Sequence, residues 1–233
     1  MVKNEVLLFG KIVSVPEFRS ETKDGDELYQ CLIEVPIKSV HSGMIKEIGK
    51  SYITLIRKIN KTADQTDEQR SEEKVWLALK SGEFVEVKGQ LAQDRIGRLG
   101  TSSVFIRSFK VIEKLEESQG NAIVNIVGEV YKNSPVIKQF SNKAEKLTFL
   151  LNQTDGESSM KTYIVAWNNL AHKIKEFNLN PGDQVEVLGN LVSRKYHDRT
   201  TEQDVNICEL LAKRVNIISR ADMKIEVDKD EQR

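Results

Sequence analysis

Along most of the chain, apolar residues alternate with polar ones in short runs, the period of strands that bury one face. In the first half, Asn4 to Val15 is mostly apolar with Gly10 inside it, Tyr29 to Ile37 alternates, and Tyr52 to Ile56 is β-branched and aromatic. Phe84 to Ala92 and Val104 to Ile112 read as a hairpin around Gly97 and Gly100. Between these runs, Glu17 to Glu27 reads as a polar loop and Arg57 to Lys74 as a charge-rich insertion. Val75 to Leu79 suits a short helix ahead of the Ser81-Gly82 turn, with Trp76 in an apolar core cluster. The second half repeats this order. Ala122 to Tyr131 holds Gly128 where Gly10 stood, a loop with Pro135 and Asn142 follows, and Leu147 to Leu151 and Thr162 to Trp167 are the next strands. Leu170, Ile174 and Phe177 then fall at helical spacing before Pro181-Gly182, and Gln184 to Val192 and Val205 to Leu211 complete the set.

The repetition is visible residue by residue. Gly82, Val85, Glu86, Val87, Gly89 and Leu91 recur as Gly182, Val185, Glu186, Val187, Gly189 and Leu191. A copy at so long an interval describes two domains rather than a solenoid of short units. Five short strands with a helix between the third and fourth is the plan of an OB-fold, a partly open small barrel. The expected class is all-β with small helices: two tandem five-stranded OB-fold barrels. The boundaries read as 1–117 for the first, 121–219 for the second and 220–233 for a charged tail, with a short polar junction near Glu116 to Gly120.

Composition narrows the classes. At 39% hydrophobic and 30% charged residues, the chain reads as an ordinary globular protein. No apolar run approaches the ~20 residues of a membrane span, and Met1 to Gly10 lacks a signal-peptide pattern, so a cytoplasmic location without membrane contact is expected. Cys31 and Cys208 fall inside strands and read as buried free thiols, while His41, His172 and His197 lack ligand spacing, so neither metal nor cofactor is expected. No nucleophile motif, phosphate loop or paired His-acid motif is present, which disfavours an enzyme. Lys and Arg total 35 against 35 Asp and Glu, with 19 of each in residues 1–118 and so 16 of each in the remainder. Any nucleic-acid surface must therefore rest on local clusters of cations, not on net charge.

The second half resembles the bacterial single-stranded DNA-binding protein family. The stretches that carry the likeness are Tyr-Ile-Val-Ala-Trp-Asn-Asn-Leu-Ala at Tyr163 to Ala171, and Gly-Asp-Gln-Val-Glu-Val-Leu-Gly-Asn-Leu-Val-Ser-Arg-Lys-Tyr-His-Asp at Gly182 to Asp198. The resemblance implies aromatic groups that stack on bases, with matches at Trp167, in phase with Val165 at the end of its strand, and at Tyr196 on the hairpin tip. Arg194, Lys195 and Arg199 surround Tyr196, the mix of cations and an aromatic that an unpaired strand requires. Lys132, Lys138, Lys143, Lys146, Lys161 and Lys173 are further candidate phosphate contacts.

The family's other stacking positions fall near Gly156 to Lys161, where no aromatic stands. The first half is more worn. Ile96 takes the place of Tyr196, and Ile56 or Arg57 falls where Trp167 stands in the second half, so its groove must rely on cations such as Arg19, Lys38, Lys46, Arg57, Lys58, Arg95 and Arg98. The resemblance implies binding of single-stranded DNA with little sequence preference, in replication, recombination or repair. By analogy it also implies a homodimer presenting four OB-folds and replication proteins as partners. The chain's end, Asp-Lys-Asp-Glu-Gln-Arg, lacks the family's acidic, apolar-tipped recruitment tail. Two other readings fit the same residues: a primosome-like or mobile-element accessory protein acting through protein contacts, and an OB-fold RNA-binding protein.

Overall fold

The structure is a computed structural model; it describes residues 3–41, 44–60, 65–96, 99–132, 135–141, 143–155, 158–198 and 202–221, with backbone alone at 41, 94–96, 99–100, 155, 158, 198 and 203. It divides into two compact units. One comprises Val6–Ala122 with Val192–Cys208, the other Met1–Glu5, Ile123–Leu191 and Glu209–Arg233.

The first barrel is built from β1 (Asn4–Ile12), β2 (Glu17–Glu21), β3 (Glu27–His41), β4 (Met44–Ile59), helix α1 (Asp67–Leu77), β5 (Phe84–Ile96) and β6 (Leu99–Ile112). Its strand order is β2-β3-β4-β6-β5-β1, and β1 closes onto β3 through Lys11↔Glu34 and Ile12↔Ile33. All pairings are antiparallel except β4–β6, which is parallel at Leu55↔Val104. The alternation delivers the core: Val6, Leu8, Ile12, Ile33, Val35, Ile53, Leu55, Val85, Val87 and Val104 all point inward and are buried. Closure demands a close approach at Gly10, where a Cβ would run into the carbonyl of Glu34.

Two readings of this half change. Glu17–Glu21 is an edge strand rather than a loop, aligned on β3 through Phe18↔Tyr29. The charge-rich stretch is mostly not an insertion but the end of β4 and most of α1. Thr66 and Gln69 form a reciprocal capping box at the helix start, and Trp76 is fully buried with its ring edge-on to Phe109 at 5.5 Å. Val75 and Leu77 are exposed, because one helical face alone meets the barrel.

The second barrel comprises β7 (Ala122–Val130), β8 (Val136–Gln139), β9 (Glu145–Asp155), β10 (Ser158–Trp167), α2 (Asn168–Glu176), β11 (Gln184–Asp198) and β12 (Gln203–Ser219). Its order, β7-β11-β12-β10-β9-β8 with β7 closing onto β9, repeats the first, including a parallel β10–β12 pair at Ile164↔Leu210. β8 again replaces an expected loop with an edge strand.

Shared hydrogen bonds align the barrels. Val13 N donates to Leu32 O as Tyr131 N donates to Leu150 O, and Gly82 N donates to Ile12 O as Gly182 N donates to Val130 O. Gly10 therefore corresponds to Gly128, Glu34 to Asn152, Lys58 to Trp167 and Phe84 to Gln184. The outer part of the β11–β12 hairpin belongs to the first unit. There the Ser193 amide donates to Ser51 Oγ, Tyr52 N donates to Ser193 Oγ, and Cys208 N donates to Thr101 Oγ1. Both cysteines are buried free thiols, and burial pushes the Cys31 thiol up to about 12. Among the described residues no helix is long and apolar enough to cross a membrane, and no cluster of His, Cys, Asp and Glu could hold a metal.

Candidate nucleic-acid interface

The strand period sorts β10 into two faces. Thr162, Ile164 and Ala166 point into the core, while Lys161, Tyr163 and Trp167 point outward, Tyr163 49% and Trp167 39% exposed. Directly across on β9 lie Asn152, Leu150 and Lys146, paired with Lys161, Tyr163 and Trp167 in turn. Trp167 is in phase with the buried Val165 as expected, yet it stays accessible because the chain turns into α2 immediately after it.

Around Trp167 the surface is aromatic and cationic. The Phe140 ring lies 5.6 Å away at 30°, the Lys146 ammonium sits 5.7 Å from the indole, and Lys138 sits 5.3 Å from Phe140. Lys146 is also within 3.8 Å of Glu209. At the other end of the row, Lys161 Nζ lies 4.0 Å from the centre of the Tyr131 ring. The hydrogen bond from Lys161 and its positive charge hold the Tyr131 phenol below its ordinary pKa. From Tyr163 to Trp167 is four residues, ~13 Å of strand. The face thus offers flat rings at intervals, with ammonium groups beside them.

Sequence reasoning named Trp167, Lys138, Lys146 and Lys161 among these residues and did not name Tyr131, Phe140 or Tyr163. Tyr163 was legible, since it stands two residues from Lys161 and four from Trp167 in a strand. Phe140 and Tyr131 come into place through the β8 edge and the β7–β9 closure, which no local pattern announces.

The remaining candidates lie at the margin of this cluster or elsewhere. Lys132 is exposed beside Tyr131, Lys143 occupies the turn after Phe140, and Lys173 is exposed in the last turn of α2. Tyr196, with Arg194 at 5.9 Å from its ring and Lys195 beside it, belongs to the unit of the first barrel. There His197 approaches Asp204 at 3.0 Å and Glu202 at 3.5 Å. Arg199 and Arg98 lie outside the described residues, and Arg95 is described by its backbone alone on β5.

The expected cationic groove of the first barrel is largely spoken for. Arg57 is buried, 7% exposed, paired with Glu72 at 3.0 Å and stacked 5.1 Å from Phe109 beneath α1, so it is a core group and not a phosphate contact. Lys38 donates to the carbonyls of Glu116 and Glu117, and Arg19 to Gln30. The counterpart of Trp167 is Lys58, not Ile56 or Arg57, and it is paired with Asp26 at 2.8 Å. Farther along β3, Glu34, held below the usual carboxylate range by the Lys50 hydrogen bond and also bonded by Tyr52, puts a lysine-paired carboxylate where Asn152 stands in the second barrel.

No curated protein matches the chain. Two solved structures of the single-stranded DNA binding protein from Thermus aquaticus share its fold: a deletion variant at TM-score 0.70 and 18% identity, and the wild-type protein at 0.69 and 19%. Each covers 94% of this chain, and 96% and 95% of the respective solved chains, so both barrels are included. The model of the Single-strand binding protein family matches residues 122–218, from the first residue of β7 to the penultimate residue of β12. Through those residues, the second barrel, the chain is similar to that family.

Proposed function

We propose that the chain binds single-stranded DNA with little sequence preference, through base stacking and phosphate contacts, in replication, recombination or repair. The observation that carries the reading is the outer face of β9–β10, where Trp167, Tyr163, Phe140 and Tyr131 share one surface with Lys138, Lys146 and Lys161. Every base has a flat face, so stacking worth ~1–3 kcal/mol per base needs no particular sequence. The ammonium groups supply phosphate neutralisation, the salt-dependent part of affinity. Lys132, Lys143 and Lys173 extend the positive surface of that barrel, and Arg194, Lys195 and Tyr196 offer a second cationic, aromatic patch. Two chains associating as a homodimer would present four barrels to one strand.

Titration with oligo-dT at two salt concentrations, followed by tryptophan fluorescence, tests this reading. Trp76 is wholly buried, so quenching reports Trp167. Salt-sensitive quenching that disappears in Trp167→Phe is the expected result; an unquenched signal with no change in anisotropy of a labelled oligomer overturns it. Sedimentation at several concentrations checks the dimer.

A further inference from the structure

β10 gives way to α2 with no loop between them. Trp167 keeps extended backbone, φ −123° and ψ 147°, and the next residue, Asn168, turns left-handed at φ 49° to open the helix. A Cβ disfavours that conformation, and asparagine is among the few residues other than glycine that adopt it readily. The β9–β10 ladder stops at the Trp167↔Lys146 pair, so its next step would set Asn168 opposite Glu145. The backbone has turned away by then, and the side chain serves in its stead: Glu145 N donates to Asn168 Oδ1 at 3.2 Å. The donor is a backbone N–H, which settles the orientation of the amide.

The first barrel takes the same step as ordinary strand. The parallel pairs Leu55↔Val104 and Ile164↔Leu210 correspond, which aligns Ile59 with Asn168 and, across the ladder, Glu27 with Glu145. Ile59 pairs with Glu27 at the end of β4 and is buried, and α1 begins at Asp67. The left-handed turn and the side-chain bond therefore belong to the barrel with the aromatic face, and they stand directly after the indole.

The far end of that bond matters as much. Glu145 adjoins Lys146, and it follows the turn in which Phe140 N donates to Ala144 O and Lys143 N donates to Phe140 O. Those are the segments that place the Phe140 ring 5.6 Å and the Lys146 ammonium 5.7 Å from the indole. Through Asn168, the chain just beyond Trp167 is tied to both neighbours of its ring. An exposed side chain at a strand end otherwise samples several rotamers, and ordering it on binding subtracts from affinity.

We infer that Asn168 is a positioning residue for Trp167: its left-handed turn and its bond to Glu145 fix the indole against Phe140 and Lys146 before any base arrives. The stacking platform is thus pre-set in the free protein. The benefit to nucleic-acid binding rests on the single-strand reading above, whereas the holding of the indole is measured without DNA.

Asn168→Gly keeps the positive φ and removes the bond at an exposed position, with an unfolding midpoint to confirm that the variant is folded. In the free protein, time-resolved tryptophan anisotropy should show faster local motion in this variant, Trp76 being wholly buried and the same in both. Asn168→Asp, which keeps an acceptor and tolerates the turn, should restore the slow decay. Oligo-dT affinity of Asn168→Gly should fall about 2- to 10-fold, the equivalent of re-ordering one side chain. The same substitution made in Trp167→Ala should cost nothing further, because the two residues act as one unit. A decay unchanged in Asn168→Gly, or as fast in Asn168→Asp as in Asn168→Gly, overturns the inference whether or not DNA binds. Equal losses of affinity in the two backgrounds overturn it as well, since Asn168 would then act other than through the indole. If the decays differ as expected and the wild-type chain binds no oligo-dT, the single-strand reading falls and the positioning role stands.

Discussion

The two barrels share strand order, closure and register, and they differ on the outer face of one hairpin. In the second, Trp167, Tyr163, Lys161 and Asn152 look outward; in the first, the same positions hold Lys58, Thr54, Tyr52 and Glu34. The first barrel pairs Lys58 with Asp26 and Lys50 with Glu34, whereas the second sets Lys138, Lys146 and Lys161 beside aromatic rings, Lys146 also within 3.8 Å of Glu209. The helices make the same point. α1 begins with a capping box at Thr66, while α2 begins at Trp167, which provides no side-chain cap. A position that would serve stability as Ser or Asp carries an indole instead.

If the difference between the faces is functional, removing both outward aromatics of β10 has the largest effect. Trp167→Ala with Tyr163→Ala should weaken oligo-dT binding by ~2–6 kcal/mol, taking ~1–3 for each stacked base, as read by anisotropy. Lys58→Ala with Thr54→Ala in the first barrel is the matching control and should leave affinity nearly unchanged. Equal losses from the two pairs would erase the distinction drawn here.

The turns before β5 and β11 sharpen the comparison in stability. Glu83 accepts from Lys80 N, and Asp183 accepts likewise from Asn180 N, but Asp183 is buried and also holds Arg220 and the Ala221 amide. Burial alone would raise its pKa. The Asn180 and Ala221 amides and the Arg220 guanidinium outweigh burial and hold the carboxyl below the usual range. Asp183→Ala should cost ~1.5–3 kcal/mol, the scale of hydrogen bonds to a charged group, measured by urea unfolding at neutral pH, and Glu83→Ala distinctly less. Because the folded pKa is depressed, this stabilisation is present above the ordinary aspartate value and is lost as pH falls through and below it. Asp183→Asn should flatten the acid limb of the stability profile.

The helix starts give a smaller effect of opposite sign. Thr66→Ala should lower stability by ~1 kcal/mol through the lost cap. Trp167→Ser supplies a cap to α2, so its unfolding midpoint should hold or rise while oligo-dT affinity drops. Smallest of all, Lys138→Ala and Lys161→Ala should each flatten the salt dependence of binding by ~0.7 in the log–log slope for a single strand. A slope unmoved by either change places the phosphates elsewhere.

Much of this was legible in the chain. The recurring Gly-x-x-Val-Glu-Val-x-Gly-x-Leu sets the same strand twice, because Gly89 and Gly189 alike stand where a Cβ would strike the backbone of the neighbouring strand, at Phe105 and Leu211. Trp76 was separable from Trp167 by its apolar neighbours. The edge strands β2 and β8 were not, since segments of only four or five mostly exposed residues take strand form only when a partner offers its free hydrogen bonds. Arg57 misled for a related reason: a cation beside a run of acids reads as surface until a helix folds over it and pairs it with Glu72.

Local order, carried by period-two alternation, turn glycines and the long-interval repeat, was therefore determined by the residues themselves, because each depends on neighbours within a few positions. Which side chains meet was decided by the closure of β1 onto β3 and β7 onto β9, and by the edge strands, since those contacts join residues far apart in the chain. The Tyr131–Lys161 and Phe140–Trp167 pairs exist only once the sheets have curled.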